Sequence, residues 1–519
     1  MNEMDKLQKA VELTVAAGYQ LDKEAFEFLS SVAEDPTEVI RKLLKKIEEG
    51  KEKPLFIGRQ LLEETLGKTE RELAEPFVEE GVSPTQVQIQ PKIIITEGKK
   101  PYHPYAKDVE SDIRVIEDPA SKLNANGTVE GYLKYFRDRY KRLEKLLRQR
   151  IDVKGAVSIL DALKAPANTK MKVIGMITDK RESKRRIFLT IEDLNSFATV
   201  LIPQNASKET LEKARCLMLD QVICFSVRKT RGNLLIAEDI LLPEVAKKRQ
   251  HKASIPVYAV LTSDMHVGST KFQRDAFNRF ILWLNGKYGN SVAKEIASHV
   301  KYVLIAGDIV DGIGVYPNQL KELAVKDVYE QYNLAAQLIE QIPDYIEVII
   351  IPGNHDAVRK ALPQPAISNS FLKSLQATRK VYSFGNPTLL SLHNVEVLMF
   401  HGRSLDDIVS SVPKMDYRHP EKAMTLLLKS RHLAPTYGGK TLISPENKDF
   451  LVINHVPDIF HSGHIHVLGY TNYKGVLIVN SGAWQEQTDY MKRMGFTPTP
   501  GKVPVVDLQT LRVMVLPFA

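Results

Sequence analysis

Cysteine is almost absent: only Cys216 and Cys224 occur among 519 residues. So few thiols exclude a disulfide framework and a cysteine-built zinc site, and both are expected as buried free thiols in an apolar stretch. No apolar run approaches the ~18 residues that a membrane span needs. The start, Met1 to Val15, mixes Asp, Glu and Lys with apolar residues, unlike the basic head and unbroken apolar core of a signal peptide. No membrane and a reducing cytoplasm are the expectation.

The chain is long enough for two to four domains, each with its own core. Charged residues make up 26%, which describes a globular protein and excludes a collagenous or wholly disordered one. The net charge of +8 and pI near 9.0 suit a polyanionic partner and, equally, lysine-rich solubility.

Residues 1–66 read as short helices. Met4, Leu7, Val11 and Val15 recur at helical spacing, Pro36 opens a second helix through Val39, Ile40, Leu43, Leu44 and Ile47, and Ile57 to Leu66 suggests a third. Residues 67–127 lose periodicity and are expected to be a linker, with Lys92 to Thr96 as one strand. Residues 128–165 centre on a basic amphipathic helix: Leu133, Phe136, Tyr140, Leu143 and Leu147 form one face, and Lys134, Arg137, Arg139, Lys141, Arg142, Lys145 and Arg148 surround it. A solvated face is the commoner reason for such charge, and contact with nucleic acid the rarer.

Residues 166–250 change to alternating short strands, three before and two after a helix at Lys208 to Cys216, the order of an OB-fold barrel. The loop after its first strand carries Lys180, Arg181, Lys184, Arg185 and Arg186. Phosphate contact with single-stranded DNA and plain solvation fit that loop about equally.

In residues 251–519 five apolar strands end in polar residues: Asp264-x-His266, Gly307-Asp308, Gly353-Asn354-His355-Asp356, His401-Gly402-Arg403 and Gly463-His464-x-His466. Residues two apart on an extended chain point the same way, so each x-spaced pair can bind one ion or two adjacent ions. Asp, Asn and His without thiolate suit Mn, Fe or Zn better than Ca or Mg. Two divalent ions, Mn first and Fe, Zn or Mg as alternatives, in a hydrolytic centre are expected.

These residues together resemble the signature of the calcineurin-like metallophosphoesterases. With the OB-like domain ahead of it and Ser404 completing His401-Gly402-Arg403-Ser404, the arrangement resembles the small subunits of archaeal family D DNA polymerases. The resemblance implies an α+β multidomain chain: helical N-terminal domain, OB-fold β-barrel, and metallophosphoesterase β-sandwich flanked by helices. It implies a 3′-to-5′ proofreading exonuclease that works with a large polymerising subunit on single-stranded DNA or a primer 3′ end; the alternatives are a non-catalytic scaffold subunit or a stand-alone phosphodiesterase. By motif, Asp264, His266, Asp308 and His466 would hold one ion, and Asp308, Asn354, His401 and His464 the other. His355 would stabilise the transition state or protonate the leaving oxygen, with Asp356 orienting it. Arg403 would meet a phosphate or form an orienting salt bridge. His461 and His455 stand near the site in sequence, and Asp311 is unassigned.

Overall fold

A computed structural model describes residues 102–519 throughout and residues 7–65 in part. The chain divides into two compact units, Met1–Ser83 and Pro84–Ala519. In the first, Asp35 Oδ1 accepts from the N–H of Thr37 at 3.0 Å and Pro36 fits the opening turn, so the helix Pro36–Glu49 starts where its sequence favours a start. Val39, Ile40, Leu43 and Ile47 bury its apolar stripe with Leu29 and Leu62. This unit is not purely helical as expected. The short strands β1 (Gln20–Leu21) and β2 (Phe56–Ile57) pair in parallel, so Ile57 belongs to a strand and not to the start of a third helix. The strand expected at Lys92 to Thr96 lies outside the described residues.

The second unit begins with a departure from the linker expectation. Strand β3 (Ile113–Glu117) adds antiparallel to the edge of a six-stranded sheet. Its three central residues are exposed, so backbone pairing, not burial, holds it there. That leaves no alternating apolar signal in the sequence.

The strands β4 (Lys170–Ser183), β5 (Arg186–Glu192), β6 (Phe197–Ile202), β7 (Val222–Lys229) and β8 (Leu234–Leu241) close into a barrel of order β4-β5-β6-β8-β7. The single helix Lys208–Arg215 lies between β6 and β7 in sequence, in the order read from the alternation.

The remaining strands form two six-stranded sheets. The first contains β9 (Tyr258–Thr262), β10 (Val300–Ala306), β11 (Glu347–Ile351) and β12 (Val381–Ser383), all parallel. The second contains β13 (Thr388–Leu392), β14 (Val395–Met399), β15 (Ile459–Ser462), β16 (Leu468–Tyr473) and β17 (Val476–Ser481), with β14, β15 and β17 parallel. Finally β18 (Lys502–Asp507) and β19 (Val513–Pro517) return to extend the first sheet beyond β9. Ala259, Leu304 and Ile349 of one sheet share a core with Val397, Ile459 and Val479 of the other, while helices cover the outer faces. All seven residues of β10 are buried, as a strand covered on both faces requires. Parallel neighbours end at the same edge, so the polar residues after β9, β10, β11, β14 and β15 are collected along one rim.

The helix Val129–Arg148 joins barrel and sandwich, and its buried face differs from the expected one. Leu133 is 54% exposed, whereas Arg139 is wholly buried. Arg139 Nε donates to Asp449 Oδ2 at 2.8 Å, Nη1 to the Pro435 carbonyl at 2.6 Å and Nη2 to the Tyr135 hydroxyl at 3.1 Å. On the barrel side the Tyr140 hydroxyl donates to the Ile174 carbonyl at 3.2 Å. Leu143 and Leu147 pack there with Cys224, whose thiol burial pushes up to about 12; it is a buried free cysteine as expected, while Cys216 is half-buried.

His432 completes the buried network. Its Nδ1 accepts from the Ala434 N–H at 3.1 Å, so Nε2 carries the proton and donates to Asp449 at 2.8 Å. Burial, reinforced by Arg139, pushes its pKa down to about 4. An unfolded histidine protonates near ~6.5, so the unfolded chain takes up this proton first and stability drains away as pH falls from about 6.5 toward 4. Arg139→Met strands the buried Asp449 carboxylate and should cost about 3–5 kcal/mol. Denaturant titration at pH 7 reads that loss, and repeating it at pH 5 on the parent chain reads the histidine contribution. An Arg139→Met midpoint equal to the parent's would contradict this account of the helix.

Candidate metal centre

Several of the expected ligands sit on a backbone that L-residues seldom adopt. Asp264, His266, Asp308, His464 and His466 all have positive φ, between 50° and 70°. Such conformations cost about 1–3 kcal/mol each and persist only where the surroundings hold them. Here Asp264 N–H donates to the Gly307 carbonyl at 2.9 Å, and His266 N–H to the Asp308 carbonyl at 3.1 Å, which ties two strand ends together. Glycine is needed at the end of the neighbouring β11, where a Cβ on Gly353 would run into Asp308 Oδ1.

The rim gathers all seven expected ligands. Donor atoms of Asp264, His266 and His466 lie within 4.8 Å of one another, as do those of Asp308, His401 and His464. Asp308 Oδ2 stands 3.7 Å from His266 Nε2 and 3.3 Å from His401 Nε2, between the two groups. Asn354 Oδ1 is 3.0 Å from His401 Nε2. His355 is at hand, its ring centroid 4.6 Å from that of His266.

The electrostatics fit a cation. Asp264, Asp308 and Asp311 are buried together, a charge density that is costly without a counter-ion. Asp264 Oδ1 and His466 Nδ1 have no hydrogen-bond partner, and the Nε2 atoms of His266 and His466 face each other at 3.0 Å. Burial alone would raise Asp308, but His401, His355 and His266 around it hold it well below the usual carboxylate range. Burial also opposes charging His401, yet Asp308 carries its pKa up to about 9. These are groups that divalent ions among N and O donors would satisfy.

Two comparisons bear on what this rim belongs to. The family of B subunits of DNA polymerases alpha and epsilon matches residues 259–466, from β9 through His466. The DNA polymerase II small subunit of Pyrococcus furiosus is 39% identical over 421 residues, 79% of this chain and 68% of that protein. The protein of the same name from Archaeoglobus fulgidus is 41% identical over 393 residues, 76% of this chain and 78% of its own length. The chain belongs to the DNA polymerase II small-subunit family.

Within this family member the residues around the ligands take roles that the sequence left open. Asp311, unassigned from sequence, accepts from His266 Nδ1 at 2.9 Å and is held by Gln319 and Gln485. His355 Nδ1 donates to the Asp311 backbone carbonyl at 2.7 Å. Asp356 therefore does not orient His355 as expected. Its oxygens accept instead from Gly353 N–H at 2.8 Å and the Tyr332 hydroxyl at 3.0 Å, fixing the loop rather than the ring. Asp406 escaped the sequence reading, having no motif of its own. It stands 3.2 Å from His464 Nε2 and 2.5 Å from Arg403 Nη1, so Arg403 forms the orienting salt bridge. His461 is wholly buried with neither ring nitrogen bonded.

The basic residues of the barrel divide. Lys180 donates to the carbonyls of Arg215 and Leu217, both at 2.8 Å, and closes the end of the barrel helix. Arg181 pairs with Asp179 at 2.8 Å. Lys184 and Arg185 form the tight turn of the β4–β5 hairpin with positive φ, and with Arg186 they lie exposed at its tip.

A carboxylate behind a ligating histidine fixes its tautomer and typically carries 10–100-fold of metal affinity. Asp311→Asn should weaken Mn²⁺ binding by that factor in a calorimetric titration while the thermal midpoint without metal changes little. Unaltered affinity would assign Asp311 to packing alone.

Proposed function

We propose that this chain is the small subunit of a heteromeric replicative DNA polymerase and that its rim hydrolyses DNA phosphodiesters as a 3′-to-5′ proofreading exonuclease. The observation that carries the catalytic part is Asp308 standing between two histidine-bearing ligand groups, with every expected ligand gathered around it. The polymerase role rests on the relatives, and a large polymerising partner follows from that role. The polarity of digestion comes from the family resemblance and from no single residue.

Asp264, His266, Asp308 and His466 would hold one divalent ion, and Asp308, Asn354, His401 and His464 the other. Bound there, two such ions activate water and offset the charge that builds on phosphorus. With Nδ1–H committed to the Asp311 carbonyl, His355 keeps Nε2 for the substrate. Burial pushes this ring down to about 4, so it meets the substrate neutral, unlike the near-neutral titration a free imidazole has. It must take up a proton before passing one to the leaving 3′ oxygen, and the negative phosphate beside it favours that uptake. Asp311 thus serves two rings, His266 through its side chain and His355 through its carbonyl.

The match to the polymerase B-subunit family favours a second reading, a scaffold that organises the polymerase without cutting DNA. Of the two readings the comparisons favour this one; the nuclease reading rests on the site and, for its polarity, on the family resemblance. Asp308→Ala and His355→Ala separate them. On the nuclease reading both variants lose Mn²⁺-dependent degradation of single-stranded DNA, by about 10²–10⁴-fold for the acid–base residue His355. Both should still co-purify with the large subunit. Undiminished activity in a pure His355→Ala preparation would overturn the mechanism, and a parent chain inert with Mn²⁺ would favour the scaffold.

A further inference from the structure

The cavity at the rim, about 450 Å³, is lined by more than ion ligands. Tyr417, Tyr490 and Phe496 face the same space as His355 and His464. Tyr417 and Phe496 are stacked, with centroids 4.7 Å apart and planes 22° from parallel. Tyr490 is 44% exposed. Ions and a bare phosphate make no use of aromatic rings, so three of them lining one cavity point to a ligand with a flat apolar part.

The position of the stack is informative. Burial and the nearby Asp406 carboxylate push the Tyr417 hydroxyl pKa up, and that same carboxylate stands 3.2 Å from His464 Nε2. The aromatic surface is therefore one carboxylate away from an ion ligand, a relation that matches a nucleotide, with its phosphate at one end and a flat base at the other. Lys360 and Lys440 line the cavity as well and supply positive charge for the backbone. A cavity of about 450 Å³ falls in the range of pockets that hold a ligand the size of one nucleotide.

We propose that Tyr417, backed by Phe496 and flanked by Tyr490, seats the base of the terminal nucleotide, making these rings specificity-determining residues for an unpaired end. The inference rests on the phosphodiesterase reading above. Stacking accepts every base, and freeing a base from its partner costs least at a mismatch, so such a seat selects by the ease of melting and not by base identity.

The test uses the full chain with Mn²⁺ and two single-stranded oligonucleotides of one sequence, ending in a normal or an abasic nucleotide. Base–aromatic stacking of about 1–3 kcal/mol corresponds to roughly 5- to 150-fold, so the parent should show a KM about tenfold higher for the abasic end. Tyr417→Leu should bring that ratio near one, and Tyr417→Phe should keep it. If Tyr417→Leu does not fold, Tyr490→Ala at the exposed rim should at least halve the ratio. A parent ratio near one, or a ratio that none of these changes moves, overturns the seat. If the parent cleaves neither oligonucleotide, the phosphodiesterase reading has failed by itself. A terminal 2-aminopurine then decides: quenching on binding that is lost in Tyr417→Leu supports the seat, and unquenched binding overturns it.

Discussion

Everything at the rim depends on one buried carboxylate. Asp308 is 1% exposed and is held by imidazoles on both sides, His266 at 3.7 Å and His401 at 3.3 Å. A carboxylate so placed is stable only with cationic company. Its backbone also supplies the carbonyl that receives His266 N–H, and its Oδ1 accepts from His355 N–H at 2.7 Å. One side chain therefore positions both groups of ligands and the proposed proton-transfer residue. The architecture explains how it is kept there: β10 is buried along its full length, with helices over one face of its sheet and the second sheet against the other, and Asp308 follows directly from its end.

The rest of the rim follows from parallel pairing. Strands β9, β10 and β11 end beside one another in the first sheet, and β14 and β15 in the second, which brings ligands distant in sequence into one line. The left-handed backbone at five of the expected ligand positions is strain that the core shared by the two sheets and the helix-covered cores outside them can sustain. Away from the rim, the Arg139–Asp449–His432 network fastens the long helix to the sandwich, and the other end of that helix packs on the barrel.

What was legible in the sequence was what short-range pattern encodes. Apolar runs stopping at Asp264, Asp308, Asn354, His401 and His464 marked the strand ends that the fold gathers on one rim, and the barrel showed through its period-two alternation. What was not legible depends on long-range pairing. Strand β3 has an exposed middle and is recruited by β13, so nothing in its own residues announces it. Arg139 reads as one more charge on a basic helix, because its partner Asp449 is 310 residues away. Asp406 lies in no motif and gains a role only because the fold brings it to His464. Asp356 looked like the partner of its neighbour His355, yet the loop turns it toward Gly353 and Tyr332. In the basic hairpin, five similar charges split into Lys180 and Arg181, spent on local contacts, and three at an exposed tip.

The central claim is that the rim is an ion-binding centre bridged by Asp308, and counting ions tests it most directly. A chelator-stripped chain titrated with Mn²⁺ in a calorimeter should bind two ions per chain, and Asp308→Ala should lose both. Absence of binding, or two ions retained in the Asp308→Ala chain, would contradict the account.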